Sequence, residues 1–392
     1  MQGGSESMPR LAMERLISAR SQSIDSSGIR RVFDLAARMK DPINLSIGQP
    51  DFHVPQAMLE ATTHAVREHR NGYSVTQGIP DLLRAVWEYL AADVGWKGPS
   101  ADLDCVVTSG TSGGLMLALM AVLDPGDEFI AADPYFVMYP QVAKLIGAQC
   151  VLCDTYPDFR LTAERVESLI TPRTKAVLVN SPSNPCGTVL TELEIRDLVD
   201  LCHRRRVLLI SDEIYDEFCF PDACEHGHCP SPARVSEECL LIRGFGKAYG
   251  CTGWRMGYAA GPTPLIQEIC KLQQYTYVCA PTPLQWGVIP SFGCDLSPII
   301  ADYANRRDMV LKAFEGVTDV VRPGGAFYAF VKVPERLGIS ASEFVERAIK
   351  HRVLVIPGNV FSRRDSHFRL SFAASPAKLQ EGLAVLRELM VG

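Results

Sequence analysis

Short, β-rich apolar runs alternate with helical patterns through the middle of this 392-residue chain. The runs lie at 105–109, 128–132, 175–180, 207–212, 239–243 and 257–261. Strands that alternate with helices form βαβ units, and the strands of a parallel sheet read as continuous apolar runs because both of their faces are buried. The pattern therefore predicts an α/β fold with a mostly parallel central sheet flanked by helices.

The pattern changes after about Pro290, where helical and strand-like segments no longer alternate regularly. The segments are a helical stretch at 301–314, a strand at 326–333, a helix at 341–350, the strand-like VLVIP and FRLSF, and a final helix. Ser375 and Pro376 suit the N-cap and first position of that final helix. This region predicts a smaller α+β domain.

Composition and charge exclude several classes of protein. A net charge of -6 with interspersed signs provides no basic surface for nucleic acid. The longest apolar runs, such as 115–123, are shorter than the ~20 residues of a membrane span. The thirteen cysteines show no spacing typical of a disulfide framework, and the N-terminal stretch lacks the architecture of a signal peptide. Both observations indicate a reducing, cytoplasmic setting. We expect neither nucleic acid nor a membrane as a partner.

Three loops that follow predicted strands carry groups suited to ligand binding. In 108-TSGTSGGL-115, small residues at a helix start allow backbone N–H groups and the hydroxyls of Thr111 and Ser112 to hold an anion. In 180-NSPSNPCG-187, two prolines stiffen the chain that presents Asn184. Asp212 ends another strand, where ligands of open α/β sheets gather. A plain turn or a helix cap explains each loop equally well on its own.

The stretch 241-LIRGFGKAYGCTGWRMGYAAG-261 has two interpretations. Its glycines follow a strand-like run, as in a dinucleotide-binding loop, but Gly250 and Gly253 come too soon for the long helix that such a loop requires. The alternative is that the small and aromatic neighbours of Lys247 present it, poorly solvated, to a carbonyl group. The sequence favours the presented lysine over both the nucleotide loop and a surface lysine.

Taken together, these strings resemble the class I and II aminotransferases, a pyridoxal-phosphate (PLP) family of fold type I. The matching strings are LSIGQPDF at 45–52, YSVTQGIPDLLRAV at 73–86, NPCG at 184–187, SDEIY at 211–215, GKAYGCTGWRMGY at 246–258 and HFRLSFA at 367–373. The resemblance covers nearly the whole chain. It implies a large PLP-binding domain at 46–287 and a small domain formed by 1–45 plus 288–392.

The resemblance also implies which residues hold the cofactor. Lys247 would form the Schiff base with PLP, Asp212 would pair with the protonated ring nitrogen, and Tyr215 with Asn184 would bond the phenolic oxygen. The remaining contacts would be Arg255, Gly110, Thr111 and Ser112 at the phosphate, Phe136 stacked on the ring, and Tyr73 reaching the phosphate of the neighbouring subunit. We therefore expect a homodimer with shared active sites, and for Phe136 core packing is the alternative.

Substrate recognition is implied in the same way. Arg369 would hold the α-carboxylate as a bidentate fork, with Gly48 and Asn184 assisting. The expected reaction is a ping-pong transfer of an amino group from an L-amino acid to a 2-oxo acid. A carbon–sulfur β-lyase of the same fold is the alternative enzyme, and a regulator with an aminotransferase-like sensor domain is the alternative from another class.

Three positions depart from many relatives. Gly244 and Gly246 stand where hydroxyl residues are common, so the phosphate would have fewer side-chain donors. Ser112 stands where some aspartate- and prephenate-using relatives have a lysine, which disfavours a donor restricted to acidic side chains. The identity of the amino donor is left open by the sequence.

The segment 219-CFPDACEHGHCP-230 contains residue types that bind metals, but with no standard zinc spacing. The segment is predicted to be a surface loop, and no metal is expected.

Overall fold

A seven-stranded sheet forms the centre of the protein in the computed structural model, which describes residues 13–25, 28, 32, 37 and 39–391. The strands are β1 (Ile43–Asn44), β2 (Leu103–Ser109), β3 (Glu128–Asp133), β4 (Gln149–Asp154), β5 (Thr174–Asn180), β6 (Leu208–Asp212), β7 (Leu240–Gly244), β8 (Met256–Pro262), β9 (Tyr328–Lys332), β10 (Val353–Leu354), β11 (Ile356–Pro357) and β12 (His367–Ser371). Among the described residues, α-helices span Ala19–Gln22, Gln56–Arg67, Pro80–Asp93, Gly110–Val122, Met138–Ile146, Ala163–Glu167, Glu192–Arg205, Phe245–Ala248, Thr263–Gln274, Thr282–Val288, Ser297–Phe314, Ala341–Lys350 and Pro376–Val391.

The central sheet has the strand order β2-β8-β7-β6-β5-β3-β4. Only β8 runs against its neighbours β2 and β7, while the other pairs in the sheet are parallel. The predicted mostly parallel sheet is therefore confirmed, and each of the six predicted runs forms a strand. The sequence did not reveal β4, because this strand lies at the sheet edge with its ends exposed and lacks a fully apolar run.

Apolar side chains cover both faces of the sheet because successive residues of a strand point to opposite sides. Val177 and Val179 pack with Val107 in one cluster, whereas Ala176 and Leu178 pack in another on the opposite face. Because both faces are buried, the sequences of these strands are continuous apolar runs.

The helix Glu192–Arg205 shows how closely local sequence sets an element boundary. Thr191 caps it by accepting a hydrogen bond from the backbone N–H of Glu194, whose carboxylate accepts one from the backbone N–H of Thr191. Both bonds of the predicted capping box are therefore present. Arg204 and Arg205 lie in its last turn and Arg206 is its C-cap, where the helix dipole favours positive charge.

A second core lies in the C-terminal region, around the antiparallel sheet β11-β12-β9 and the two-stranded parallel pair of β1 and β10. The helices Ser297–Phe314, Ala341–Lys350 and Pro376–Val391 pack on it. The helices and strands predicted after Pro290 are all present, so this region has the expected α+β character.

The chain's polar loops gather at one edge of the central sheet. The parallel strands β2, β5, β6 and β7 end there at Ser109, Asn180, Asp212 and Gly244, and Asn180 pairs directly with Asp212. Ligands of open α/β sheets bind at this edge. In the described part of the chain, no helix is long and apolar enough to cross a membrane.

Candidate active site

A cavity of about 340 Å³ opens at the carboxyl edge of the sheet. All but one of the predicted site residues line this cavity: Gly48, Gly110, Thr111, Ser112, Phe136, Asn184, Asp212, Tyr215, Lys247, Arg255 and Arg369. These residues come from distant parts of the sequence, so the fold brings together groups that the motifs could only suggest separately.

Lys247 faces the cavity from the four-residue helix Phe245–Ala248, which directly follows β7. Its Nζ donates a hydrogen bond to the carbonyl oxygen of Gly48. Burial lowers the pKa of Lys247 to about 8, and the positive charges of Arg369 and Arg255 act in the same direction. The amine can therefore lose its proton near neutral pH, and Lys247 is neither a surface lysine nor part of a loop that opens a long helix.

Asp212 is a buried carboxylate at the end of β6. Its Oδ2 accepts a hydrogen bond of 2.7 Å from the hydroxyl of Tyr139, whereas its Oδ1 is buried without a partner among the described groups. Burial raises the pKa of Asp212 to about 6, and the bond from Tyr139 opposes that rise. The free oxygen suits a cationic N–H group of a bound ligand.

One end of the cavity is built to hold an anion. The helix Gly110–Val122 begins there without an acidic residue in its first turn, and Thr111 and Ser112 line the cavity beside it. Gly110 has a φ of 67°, and a Cβ atom on it would lie 2.8 Å from Nη2 of Arg255. Arg255 donates from Nη1 to the carbonyl oxygen of Thr252 at 3.1 Å and forms no salt bridge with a carboxylate of the described residues, so the helix N-terminus and the guanidinium both favour an anion.

Gly244 and Gly246, which stand where hydroxyl residues are common in relatives, allow two threonines to approach the backbone beside this anion site. A Cβ atom on Gly244 would lie 2.8 Å from Cγ2 of Thr111, and one on Gly246 would lie 3.2 Å from the Cα of Thr252. Thr252 also lines the cavity. Thr111 and Thr252 thus occupy space that the side chains of larger residues at 244 and 246 would need.

Arg369 lies on β12 and is 1% exposed. Its Nη1 donates to Oδ1 of Asn184 at 3.0 Å and its Nη2 to the carbonyl oxygen of Ser46 at 2.8 Å, while Nε has no partner among the described groups. The guanidinium lies between the rings of Tyr328 and Phe361. An unpaired buried cation is costly, so this wall of the cavity suits a carboxylate ligand.

Tyr215 and Phe136 complete the walls. The hydroxyl of Tyr215 lies 3.0 Å from that of Tyr328, and burial raises the pKa of Tyr215 well above its usual value. Phe136 lines the cavity and packs edge-on against Tyr139, with ring centres 5.7 Å apart. Phe136 therefore has both a cavity face and a packing contact.

Tyr73 is the predicted residue that the structure places outside the cavity. Its side chain is 87% exposed on the loop between helices Gln56–Arg67 and Pro80–Asp93. The loop itself is anchored, since Gln285 donates to the hydroxyl of Ser74 at 2.9 Å and Gln273 donates to the carbonyl oxygen of Thr76 at 2.8 Å. An anchored loop thus presents an exposed tyrosine.

Among the residues at the cavity that sequence reasoning did not single out are Tyr139, Asn180, Thr252 and Tyr328. Asn180 connects two predicted residues, because it donates to the carbonyl oxygen of Asp212 at 2.9 Å and accepts from the backbone N–H of Asn184 at 2.8 Å. Its position at the end of a predicted strand was the available signal. The roles of the two tyrosines depend on contacts across many residues, which no local pattern indicates.

The Cys/His segment has one buried and several accessible members. Cys219 is 5% exposed, whereas His226 and His228 are exposed in the surface loop and lie near the acids Glu192 and Asp93. Within the described residues, no group of three or more His, Cys, Asp or Glu side chains is arranged to hold a metal ion.

Comparison with known proteins places these features in a family. The family model described as "Aminotransferase class I and II" matches residues 40–386. A probable aspartate aminotransferase of Methanocaldococcus jannaschii is 32% identical over 95% of this chain and 100% of that protein. A probable aspartate/prephenate aminotransferase of Aquifex aeolicus is 34% identical over 91% of this chain and 93% of that protein. The solved aspartate aminotransferase of Thermus thermophilus with maleate has a TM-score of 0.87 and 32% identity, and covers 95% of this chain and 99% of its own.

Proposed function

The chain belongs to the class I and II aminotransferase family, and we propose the residues with which it performs PLP-dependent transamination. The enzyme is an aminotransferase that moves an amino group from an L-amino acid to a 2-oxo acid in a ping-pong cycle of PLP and pyridoxamine phosphate. The fold and family predicted from the sequence are confirmed. The relatives described above are aminotransferases, which supports neither the β-lyase alternative nor the sensor-domain alternative.

One observation supports the residue roles most strongly: a lysine of lowered pKa, a carboxylate with one unpartnered oxygen and a guanidinium without a counterion belong to residues that line one cavity. Lys247, Asp212 and Arg369 are these three groups. They match the aldehyde carbon of PLP, its ring nitrogen and the carboxylate of an amino acid. The residues present therefore fit the cofactor together with its substrate.

We assign the phosphate of PLP to the anion end of the cavity. Arg255, the start of helix Gly110–Val122, and the hydroxyls of Thr111 and Ser112 would hold it there. Asp212 would pair with the ring nitrogen, and Phe136 would pack on the ring. Tyr215 and Asn184 would bond the phenolic oxygen, as the family resemblance implies.

Bound PLP supplies an electron sink that stabilises the carbanion formed at the substrate α-carbon. The buried carboxylate of Asp212 keeps a positive charge favourable at the ring nitrogen. Lys247 would hold the cofactor through Nζ and, as a free neutral amine, would move a proton at the substrate α-carbon. Its pKa of about 8 leaves a useful fraction of neutral amine at physiological pH.

Arg369 would bind and orient the substrate α-carboxylate, with Asn184 and the backbone of Gly48 beside it. The guanidinium is held by Asn184 and Ser46 at two nitrogens, so its plane is fixed before substrate binds. Preorganisation of this kind would orient a bound carboxylate without further ordering of the guanidinium.

The described cavity lining does not supply a site for a second substrate carboxylate. Its cations are Lys247, Arg255 and Arg369, each of which already has a role. With Ser112 where some relatives have lysine, we propose a donor not restricted to acidic side chains. Aspartate and prephenate occur in the names of relatives, so both compounds belong among the substrates to test.

We propose a homodimer in which Tyr73 reaches the phosphate held by the neighbouring subunit. The support is a group of exposed apolar side chains near that loop and its anchoring helices, namely Tyr73, Val75, Tyr275, Tyr277 and Val278. Exposed aromatic clusters on an anchored surface are typical of subunit interfaces.

Two further proposals concern location and domain organisation. The described cysteines are all free, which fits a reducing cytoplasm. The separate core around β9 and β12 supports a large domain at 46–287 and a small domain at 1–45 plus 288–392. Residues 1–12 lie outside the described part of the chain.

The test is the absorption spectrum of the PLP-loaded enzyme during addition of single amino acids without an acceptor. We expect one or more donors to convert the visible band to the near-ultraviolet band of pyridoxamine phosphate, and an oxo acid to reverse the change. The Lys247→Ala variant should lose turnover by roughly 10³-fold or more. Lys271→Ala, which removes a 59% exposed surface lysine, is the matched control. Full turnover by Lys247→Ala would overturn the assignment.

A further inference from the structure

Tyr328 connects the two chemically distinct walls of the cavity, although neither the sequence motifs nor the roles above use it. It lies on β9, is 1% exposed and lines the cavity. Its ring faces the guanidinium of Arg369, and its hydroxyl faces the phenol of Tyr215. A single side chain therefore contacts both the proposed carboxylate clamp and a proposed cofactor contact.

The ring contact fixes the plane of the guanidinium. The Cζ atom of Arg369 lies 4.5 Å from the centre of the Tyr328 ring and 4.6 Å from the centre of the Phe361 ring. Stacking between two aromatic faces favours one orientation of a planar cation. The free Nε of Arg369 is therefore held in a defined direction rather than left to rotate.

The hydroxyl contact is equally specific. The oxygens of Tyr328 and Tyr215 lie 3.0 Å apart, and the two rings are nearly perpendicular at 89°. Neither hydroxyl has another side-chain partner among the described residues. A Cβ atom on Gly48 would lie 2.6 Å from the Tyr328 hydroxyl, so glycine at 48 leaves room for this arrangement.

We propose that Tyr328 is a positioning residue that acts on both half-sites: its ring orients Arg369 for the substrate carboxylate, and its hydroxyl supports Tyr215 at the cofactor. The inference rests on the residue roles proposed above. When Tyr215 donates its proton to a ligand in the cavity, its oxygen is free to accept the proton of Tyr328. Hydrogen bonds in such a chain strengthen one another.

Two substitutions separate the contributions of the hydroxyl and the ring. Tyr328→Phe keeps the ring and removes the hydroxyl, so KM for donor and acceptor should stay within about twofold while kcat falls about threefold to tenfold. The pH midpoint of the visible absorption of bound PLP should move in the same direction as in Tyr215→Phe, but less far. In the double variant the two shifts should not add, because both act through one chain of hydrogen bonds.

Tyr328→Leu removes the ring as well. We expect KM for both substrates to rise roughly fivefold or more, in addition to the spectroscopic change. Phe361→Leu is the matched control, since it removes the other ring over Arg369 and has no hydroxyl contact. It should raise KM without moving the absorption midpoint.

The same measurements can overturn the proposal. An unchanged midpoint in Tyr328→Phe, with a clear shift in Tyr215→Phe, would remove the hydroxyl role. Unchanged KM values in Tyr328→Leu would remove the ring role, and if that variant does not fold, unchanged KM in Phe361→Leu would oppose the stacking argument. Failure of the wild-type enzyme to respond to any donor would instead contradict the proposed residue roles as a whole.

Discussion

Tyr139 donates a 2.7 Å hydrogen bond to one carboxylate oxygen of Asp212, and the other oxygen is buried without a partner among the described groups. Both side chains are buried, so the bond fixes the rotation of the carboxylate and favours its ionised form. The asymmetry of the two oxygens leaves Oδ1 as the atom available to a ligand.

Removing the Tyr139 hydroxyl should weaken PLP binding, and more strongly in acid. The bond lowers the pKa of Asp212 against the rise caused by burial, so Tyr139→Phe should raise that pKa further above 6. A larger fraction of Asp212 is then protonated at pH 6, and PLP affinity should fall roughly tenfold or more there. Equilibrium binding of PLP at pH 6 and pH 8 measures the difference. Tyr156→Phe, which removes a 2.9 Å hydroxyl contact to Ser362, is the control, and equal losses at both pH values would contradict the prediction.

Asp212→Asn should stabilise the cofactor-free protein at alkaline pH. Burial raises the pKa of Asp212 from about 3.8 to about 6, so its ionised form destabilises the fold above pH 6 and the penalty disappears below about pH 4. A two-unit shift corresponds to roughly 3 kcal/mol of unfolding free energy. Urea unfolding should show the variant to be more stable than wild type at pH 8 and equally stable near pH 4. A stability difference independent of pH would rule out this origin.

Arg369→Lys should impair carboxylate binding although the charge is retained. A lysine cannot reproduce the planar donor pair or stack between Tyr328 and Phe361, so KM for both substrates should rise about 10- to 100-fold. Steady-state kinetics with donor and oxo acid test this. The control is Arg364→Lys, at a 50% exposed arginine outside the cavity. If both variants gave the same KM, Arg369 would not be the carboxylate clamp.

Arg243→Met should destabilise the large sheet without touching the cavity. Arg243 is 2% exposed and pairs with Asp93 at 2.7 Å and Glu213 at 2.8 Å. Its removal leaves Glu213 and Asp216, whose side chains are 2% and 8% exposed, without a counterion, which should lower the free energy of unfolding by about 3 to 5 kcal/mol. Arg84→Met breaks a pair at a 65% exposed arginine and should cost no more than about 1 kcal/mol. Chemical denaturation compares the two variants.

The sequence predicts the parts of the site that depend on local chain geometry. Asp212 ends β6, Lys247 follows the end of β7, and Arg369 lies within β12. Each stands in a short string whose apolar pattern and turn residues indicate where the side chain lies. Tyr139 and Tyr328 act through partners 73 and 113 residues away, so their roles become visible only when the strands are assembled.

The reversed direction of β8 has a consequence for how the two ends of the cofactor site are connected. A chain that leaves β7 and returns in parallel must travel back along the whole sheet, usually through a helix of a dozen or more residues. Because β8 instead starts where β7 ends, only the seven residues between Lys247 and Arg255 join the proposed reactive amine to the proposed phosphate ligand. The distance between these two groups is thus fixed by a tight connector, and lengthening that connector would separate them without altering either side chain.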